Sequence, residues 1–438
     1  MNSLFNYLKV SLLIILLMSS VTTSKAQVSD IEQQMIEYID ETNTAALELL
    51  IKTININSGS MNFEGVREVG RVLSLEFDKL GFETRWEDGK DFNRAGHLVA
   101  EYRGANATKK LLLIGHLDTV FELDSPFQKF EMVNDSVARA PGIADMKGGN
   151  VIILQALGAL KAVEALDNLD ITVVMTGDEE LSGKPLSLSK KALIDAAKYA
   201  DIAIGFENGD GNPGTANISR RGSIGWTLTV GGKPAHSSQV FREDIGAGAI
   251  YEAARILTSF YDELRSEEYL TFNPGKIIGG TTVTHDPSSN SGTTFGKNNI
   301  VAETAIVTGD IRAVSKEQLA RVKEKMQEIV STNYPHTSAE IVFSDGYPPM
   351  APTKGNEELL SIYNKVSMDL GLGEVVAVNP LRAGAADVSF TAEYVDMAID
   401  ALGMSGDNDH TVEEVGFLNA LPSQSKRAAV LLYRLGKM

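Results

Sequence analysis

One stretch of the chain, Leu111–Val120, joins four consecutive apolar residues to a histidine and an aspartate. An apolar run that ends at a glycine predicts a strand buried on both faces, which is typical of a parallel sheet covered by helices. His116 and Asp118 are two positions apart, so in an extended chain both side chains can face one cavity. Open α/β sheets place their sites at the carboxyl ends of such strands. A His–Asp pair alone fits a structural role equally well, so whether these two residues are functional depends on the motifs in the rest of the chain.

The amino-terminal residues have the features of an export signal. Val10–Met18 is an apolar core too short to span a bilayer comfortably, and residues 24–26 offer small side chains to a signal peptidase. We therefore predict a cleaved signal peptide over 1–26, a mature chain from Gln27 and a periplasmic or secreted location. An uncleaved membrane anchor is the alternative. The chain has no cysteine, which excludes a lipid-attachment cysteine and any disulfide.

The charge limits the partners of this protein. The formal net charge of −18 becomes −20 once Lys9 and Lys25 leave with the signal peptide. So acidic a chain is poorly suited to nucleic acid or to anionic lipid, and we expect no membrane association after cleavage. The acidic residues are spread rather than blocked, which indicates a solvated surface. The length of 438 residues allows two or three domains.

Further acidic and imidazole side chains follow successive predicted strands, as in Asp145, Glu179, Glu180, Glu207 and His410. Each has a plain structural alternative; Asp145, for example, could be a helix N-terminal acid stabilised by the helix dipole. Independent accidents would not be expected to repeat at one strand end after another. Two imidazoles and several carboxylates without a thiolate suit a pair of zinc-like ions. One carboxylate can bridge the ions, while another that binds neither serves as general base.

The pattern changes after Ile218. The predicted elements are then a strand, a helix, two strands, a helix and a strand, which is the order of a split βαβ sandwich. We predict that residues 219–347 form a second domain inserted into a first, which consists of 27–218 and 348–438.

Taken together, these segments resemble the M20-family metallopeptidases of the glutamate carboxypeptidase-like branch. The matching stretches are 115–120, 142–150, 178–180, Glu207, 234–237, 299–300, 310–312 and His410. The resemblance covers essentially the whole mature chain, and its motifs are specific only in combination. It implies an α/β fold: a mixed-sheet zinc-peptidase catalytic domain with an inserted α+β (βαββαβ) lid and dimerisation domain. It also implies two Zn²⁺ ions per subunit and a small peptide or N-acyl amino acid as substrate.

The resemblance also implies the metal-site roles. Asp145 would bridge the ions, His116 and Glu207 would complete one, and Glu180 and His410 the other. Asp118 would orient His116, and Glu179 would be the base and proton shuttle.

Four further residues are implied to act on the substrate. His236, Asn299 and Arg312 would come from the inserted domain. His236 would stabilise the oxyanion, reaching the partner's site if the lids form a homodimer. Arg382 resembles the residue that grips a substrate carboxylate, a task suited to a bidentate guanidinium.

Two departures from the family pattern and several alternatives accompany these expectations. Asn208 stands where the family often has proline, and the alignment around Arg382 is loose by a residue. His97, His285 and His336 are predicted to be structural or exposed. The expected function is an exported di-zinc hydrolase that cleaves an amide bond next to a free carboxylate, as in release of a C-terminal glutamate-like residue. The alternatives are an aminoacylase or dipeptidase of the same fold, a non-catalytic periplasmic binding protein, or a single metal ion.

Overall fold

The computed structural model of the chain describes residues 28–438, so the predicted signal peptide lies outside the described residues. In the described part the helices are α1 (Asp30–Ile54), α2 (Phe63–Leu80), α3 (Gly148–Ala162), α4 (Leu186–Ser189), α5 (Lys191–Tyr199), α6 (Ala249–Leu264), α7 (Lys316–Ser331), α8 (Lys354–Asp369) and α9 (Ala420–Leu435). Among these residues, no helix is both long enough and apolar enough to cross a bilayer.

The strands are β1 (Glu83–Asp88), β2 (Gly96–Arg103), β3 (Lys109–His116), β4 (Glu131–Asn134), β5 (Val137–Arg139), β6 (Leu169–Thr176), β7 (Ile202–Gly205), β8 (Thr215–Ala216), β9 (Ile224–Gly232), β10 (Thr271–Gly280), β11 (Thr282–Asp286), β12 (Ser291–Phe295), β13 (Thr304–Arg312), β14 (Thr337–Phe343), β15 (Val376–Ala377), β16 (Met397–Ile399), β17 (Gly406–Asp407) and β18 (Val415–Phe417). Six of them form the central sheet, in the order β1-β2-β6-β3-β7-β16. Strands β6, β3, β7 and β16 are parallel, whereas β2 is antiparallel to both of its neighbours. The predicted α/β class with a mixed sheet is thereby confirmed.

Strand β3 is buried on both faces, as its apolar run predicts. Leu111 and Leu113 point into the core formed with α1, α2, α3 and α9, while Leu112 and Ile114 point into a second core that includes α5. Each fully buried aliphatic side chain contributes about 1.5–3 kcal/mol, so this alternation stabilises helices on both sides of the sheet. The sequence predicts a strand over 111–120, but the strand ends at His116. Asp118 therefore lies in the following loop.

Helix α3 begins at the loop that carries Asp145 and runs through the first core, where almost all its residues are buried. Apolar spacing predicts a helix over 151–166, whereas the helix starts at Gly148, three residues earlier. Gly149 is required at this start, because a Cβ there would lie 2.0 Å from the main-chain oxygen of Phe206. The close approach brings the Asp145 loop against the end of β7.

A second, antiparallel sheet of order β10-β13-β9-β14 has its own core. Helices α6 and α7 cover one face of it, and their apolar side chains pack on Trp226, Leu228 and Val307. The sequence predicts one strand-like segment near 276–284, and this prediction is wrong: β10 ends at Gly280 and a separate hairpin, β11–β12, follows. This hairpin is largely exposed, so its side chains carry no apolar alternation that could have predicted it. The boundaries 219–347 and the lid role stay predictions.

The small residues of 382–387 predict a turn followed by a helix, but the structure has a single 3-10 turn there, Asp387–Phe390. The Asp387 side chain contacts two buried residues of other elements, Thr176 and Lys190. These contacts hold the backbone in the short turn, so the turn does not continue as a helix.

Candidate metal centre

Five side chains reach one end of the central sheet from different parts of the chain. His116 ends β3, Glu180 follows β6, Glu207 follows β7, Asp145 lies in the turn before α3, and His410 lies between β17 and β18. The carboxyl ends of parallel strands lie at the same edge of a sheet, which is why His116, Glu180 and Glu207 meet. Asp145 and His410 reach the same edge from loops outside that sheet.

These residues form two groups of three that share Asp145. In the first group His116 Nε2 lies 3.0 Å from Asp145 Oδ1 and 3.6 Å from Glu207 Oε1. In the second group His410 Nε2 lies 3.0 Å from Asp145 Oδ2 and 3.1 Å from Glu180 Oε2. Within each group the potential ligand atoms all lie within 4.8 Å of one another. The two oxygens of Asp145 thus face different histidines, as a carboxylate between two cations requires.

The electrostatics of the centre fit a bound cation pair. Burial and the charge of Asp145 raise the pKa of Glu180 to about 7, and the same two causes raise the pKa of Glu207 well above its ordinary value. Hydrogen bonds to Asp145 and Glu180 raise the pKa of His410 to about 11. Crowded, desolvated carboxylates repel one another unless positive charge offsets them. The set of imidazole nitrogen and carboxylate oxygen donors, without sulfur, suits Zn²⁺.

Asp118 holds two loops of the centre together. It is fully buried, and its carboxylate accepts hydrogen bonds from the main-chain N–H of Glu179 at 3.0 Å and of Glu180 at 3.1 Å. Ser60 Oγ donates a third at 2.6 Å. His116 Nδ1 lies 3.0 Å from the main-chain oxygen of Asp118 and 3.5 Å from its carboxylate. His116 is therefore oriented chiefly through the main chain, and its Nε2 is left facing Asp145.

Glu179 is a half-buried residue that belongs to neither group of potential ligands. Burial and the nearby charge of Asp387 raise the pKa of its carboxyl well above the ordinary value. A carboxyl beside the ligands, but outside both groups, is what a general base at this centre requires.

The four predicted substrate residues make local contacts. His236 and Asn299 are exposed, with His236 Nδ1 2.8 Å from Ser238 Oγ. Arg312 pairs with Asp310 at 2.8 Å, and the exposed Arg382 pairs with Asp210 at 3.2 Å. Across residues 28–438, none of the four is within hydrogen-bond or ion-pair distance of the two ligand groups. Their roles in substrate binding stay predictions.

Sequence reasoning missed Glu414, a buried carboxylate that holds the Asp145 loop. Its Oε2 accepts the N–H of Gly142 at 2.9 Å, and its Oε1 accepts those of Ala144 at 3.0 Å and Asp145 at 3.3 Å. Burial raises the pKa of Glu414 to about 8, whereas the three N–H donors favour the ionised form. Glu414 also shares a loop with His410, so it joins the two segments that carry these ligands. The one available signal was an acid four residues after that histidine.

Sequence reasoning also missed a buried ion cluster beneath the Glu179 loop. Lys190 is fully buried, and its Nζ lies 3.0 Å from Asp178 Oδ1 and 2.9 Å from Asp387 Oδ1. The contact to Asp178 has hydrogen-bond geometry, while the contact to Asp387 is an ion pair without it. Asp178 also accepts hydrogen bonds from Ser189 Oγ and the N–H of Gly183. The residue before Glu179 is thus fixed on three sides.

Glu207 is held in a similar way by a buried pair. Asp400 Oδ1 accepts its main-chain N–H at 3.3 Å, and Arg220 Nε donates to Asp400 Oδ2 at 2.7 Å. His97, predicted to be structural, is buried with both ring nitrogens bonded to main-chain atoms of Gly177 and Ser189.

Comparison with known proteins agrees with this geometry. The model of Peptidase family M20/M25/M40 matches residues 112–433. Carboxypeptidase G2 of Pseudomonas sp. (strain RS-16) is 25% identical to this chain over 398 residues, which cover 90% of this chain and 89% of that protein.

Two solved structures illustrate the shared fold. Aminopeptidase PepT from Bacillus cereus ATCC 10987 superposes with a TM-score of 0.71 at 18% identity, covering 90% of this chain and 98% of that one. The Bacillus subtilis YXEP protein, a dinuclear metal-binding peptidase of the M20 family, gives a TM-score of 0.65 at 14% identity, covering 91% and 99%.

Proposed function

The chain belongs to peptidase family M20/M25/M40, and on that premise we propose an exported hydrolase that holds two Zn²⁺ ions and cleaves an amide bond next to a free carboxylate. The sharing of Asp145 by two groups of potential ligands carries this proposal. The similarity to Carboxypeptidase G2 along most of the chain favours a carboxypeptidase. We propose a C-terminal glutamate-like residue as the leaving group, as the resemblance of the sequence motifs implies. The proposal of export rests on the leader-like residues 1–26.

The residues of the centre divide between the two ions. His116 and Glu207 would hold one, Glu180 and His410 the other, and Asp145 would bind both. Bound divalent ions supply Lewis acidity, which lowers the pKa of a water molecule and polarises the scissile carbonyl.

The proton transfers are assigned to Glu179. Its carboxylate accepts a proton from the attacking water and returns it to the nitrogen of the leaving amine. Asp118 supports this role because it binds the main-chain N–H of Glu179 and keeps the loop next to the ligands.

The inserted segment completes the site over the substrate. When the segment closes, His236 would stabilise the oxyanion, and Arg312 and Asn299 would bind polar groups of the substrate. We also propose a homodimer through this segment. The exposed apolar side chains of Ile277 and Phe295 on it support a surface that a second copy covers.

The variant Glu179→Ala tests the mechanism on zinc-loaded protein. We expect the bound metal to be unchanged and kcat to fall by about 10²–10⁴-fold, the usual contribution of a general base. Glu413→Ala, which removes an exposed glutamate, is the control and should keep full turnover. Unchanged turnover in Glu179→Ala would reject the mechanism, and loss of metal would make Glu179 a ligand.

Matched substrates separate the proposed activity from its alternatives. An N-blocked peptide ending in a free glutamate should be cleaved, whereas the same peptide with a C-terminal amide should not. A dipeptidase would instead require a free amino terminus, and an aminoacylase would prefer short N-acyl amino acids. A metal-loaded protein that binds these compounds and cleaves none would favour the binding-protein alternative.

A further inference from the structure

Both main-chain polar groups of Glu179 are bonded, and their partners come from different parts of the fold. The N–H donates to Asp118 Oδ1 at 3.0 Å, in the loop after β3. The carbonyl accepts a hydrogen bond from the phenol of Tyr347 at 2.9 Å. Since peptide groups are planar, fixing the N–H and the C=O of one residue fixes the direction in which its side chain leaves the chain. The main chain that carries the proposed base is therefore held by two contacts.

Tyr347 lies where the inserted segment returns to the central sheet. Its main-chain N–H and C=O exchange hydrogen bonds of 3.1 Å and 2.9 Å with Ser223, at the segment's other connection. Its ring packs edge-on against Phe390 at 4.9 Å between centroids and lies 5.5 Å from Lys190 Nζ. The position of the phenol is thus set jointly by the two connections and by the buried ion cluster.

The phenol is directed at the Glu179 carbonyl by a second hydroxyl. Ser182 Oγ lies 3.0 Å from the phenol oxygen. Because the Tyr347 hydrogen goes to the carbonyl, the Ser182 hydroxyl donates to the phenol oxygen. Burial raises the pKa of Tyr347 well above its ordinary value, so the phenol stays a donor.

We propose that Tyr347 is a positioning residue for the base, an inference that rests on the proposed function of Glu179. Through Tyr347, the two connections of the inserted segment act on the loop that carries Glu179. Tyr347 contacts the main chain of Glu179 and, among the described residues, belongs to neither ligand group. A shift of the two connections would move the phenol and with it the Glu179 carbonyl. Tyr347, at the end of the segment that is proposed to close over the substrate, then holds the base in place.

The variant Tyr347→Phe removes the hydroxyl and keeps the ring packing. We expect kcat to fall by roughly tenfold, the effect of one lost hydrogen bond on a positioned group, with KM and bound zinc changed by less than about twofold. Tyr363→Phe is the matched control, because it removes another buried phenol, 3.4 Å from Gln424, that has no contact with the Glu179 loop. Ser182→Ala should act in the same direction with a smaller loss, and serves as the test should Tyr347→Phe fold poorly.

A double variant distinguishes positioning from a general structural role. If Tyr347 acts through the base, Tyr347→Phe has no further effect on the residual turnover of Glu179→Ala. An equal fall in both backgrounds would overturn the proposal, as would a loss of bound metal that accounts for the fall in kcat. Full turnover of Glu179→Ala alone would instead refute the proposed function.

Discussion

Glu414 offers a test of how the metal centre is held, because its carboxylate accepts three main-chain N–H groups of the Asp145 loop. Glu414→Ala leaves three buried donors without this acceptor, and each unsatisfied buried donor costs about 1–3 kcal/mol before water compensates. Outer groups that hold metal ligands typically account for about 10–100-fold in affinity. We therefore expect the Kd for zinc to rise by that factor, which corresponds to about 1.4–2.7 kcal/mol.

The assay is a competition titration of metal-free protein with zinc and a chelator of known affinity. Glu413→Ala is the matched control. The Glu413 side chain is 69% exposed and comes no nearer than 3.7 Å to Arg139, a weak surface ion pair, so its removal should leave the Kd for zinc unchanged. Glu414→Gln keeps one acceptor oxygen and should fall between Glu414→Ala and the wild type.

Wild-type zinc affinity in both Glu414→Ala and Glu413→Ala would show that the loop presents Asp145 without the buried carboxylate. The reasoning from hydrogen bonds to ligand position would then be wrong. A loss of affinity in Glu413→Ala of the same size would point instead to net charge as the cause.

Two predictions concern stability. Lys190→Met leaves two buried carboxylates without their cation and should lower the free energy of unfolding by about 3–5 kcal/mol. The control Lys191→Met, at an exposed neighbouring residue, should change the free energy of unfolding by less than about 1 kcal/mol. Equal denaturant midpoints for the two variants would contradict this prediction. Burial alone would raise the pKa of Glu32, but its bonds to Arg434 and to the helix start hold that pKa below the ordinary 4.5. The stabilisation is present above pH 4.5 and is lost as the pH falls through the folded-state pKa of Glu32. The Tm of the wild type should therefore exceed that of Glu32→Gln most near neutral pH, and the difference should shrink in acid. A Tm difference that grows in acid would refute the assignment.

The sequence was a good guide to the central sheet and to the side chains that meet at its edge, whose role as metal ligands stays a prediction. Leu111–Ile114 and the runs before Glu179 and Glu207 are apolar segments that end abruptly in polar residues, and the parallel strands bring those ends to one edge. The resemblance to the M20 family is confirmed by the match over residues 112–433. The strands are marked by neighbouring residues and the resemblance by short motifs read in combination, so neither signal needed the tertiary structure.

The supporting residues could not be predicted in this way. Tyr347 and Glu179 are 168 residues apart, and Glu414 and Gly142 are 272 apart. Neither Tyr347 nor Glu414 lies in a periodic pattern that points to its partner. The hairpin β11–β12 was missed for a related reason, since an exposed segment has no apolar face to mark its strands.

By itself, then, the sequence determined which apolar segments form the buried strands of the central sheet and which polar groups follow them, because apolar periodicity is written into neighbouring residues. Only the tertiary structure decided which buried polar groups hold those ends in place. Burial removes water from a charge or an N–H and makes a partner necessary, but that partner is chosen by proximity in space. Lys190 beneath the Glu179 loop and Glu414 beneath the Asp145 loop are both consequences of folding that no local pattern records.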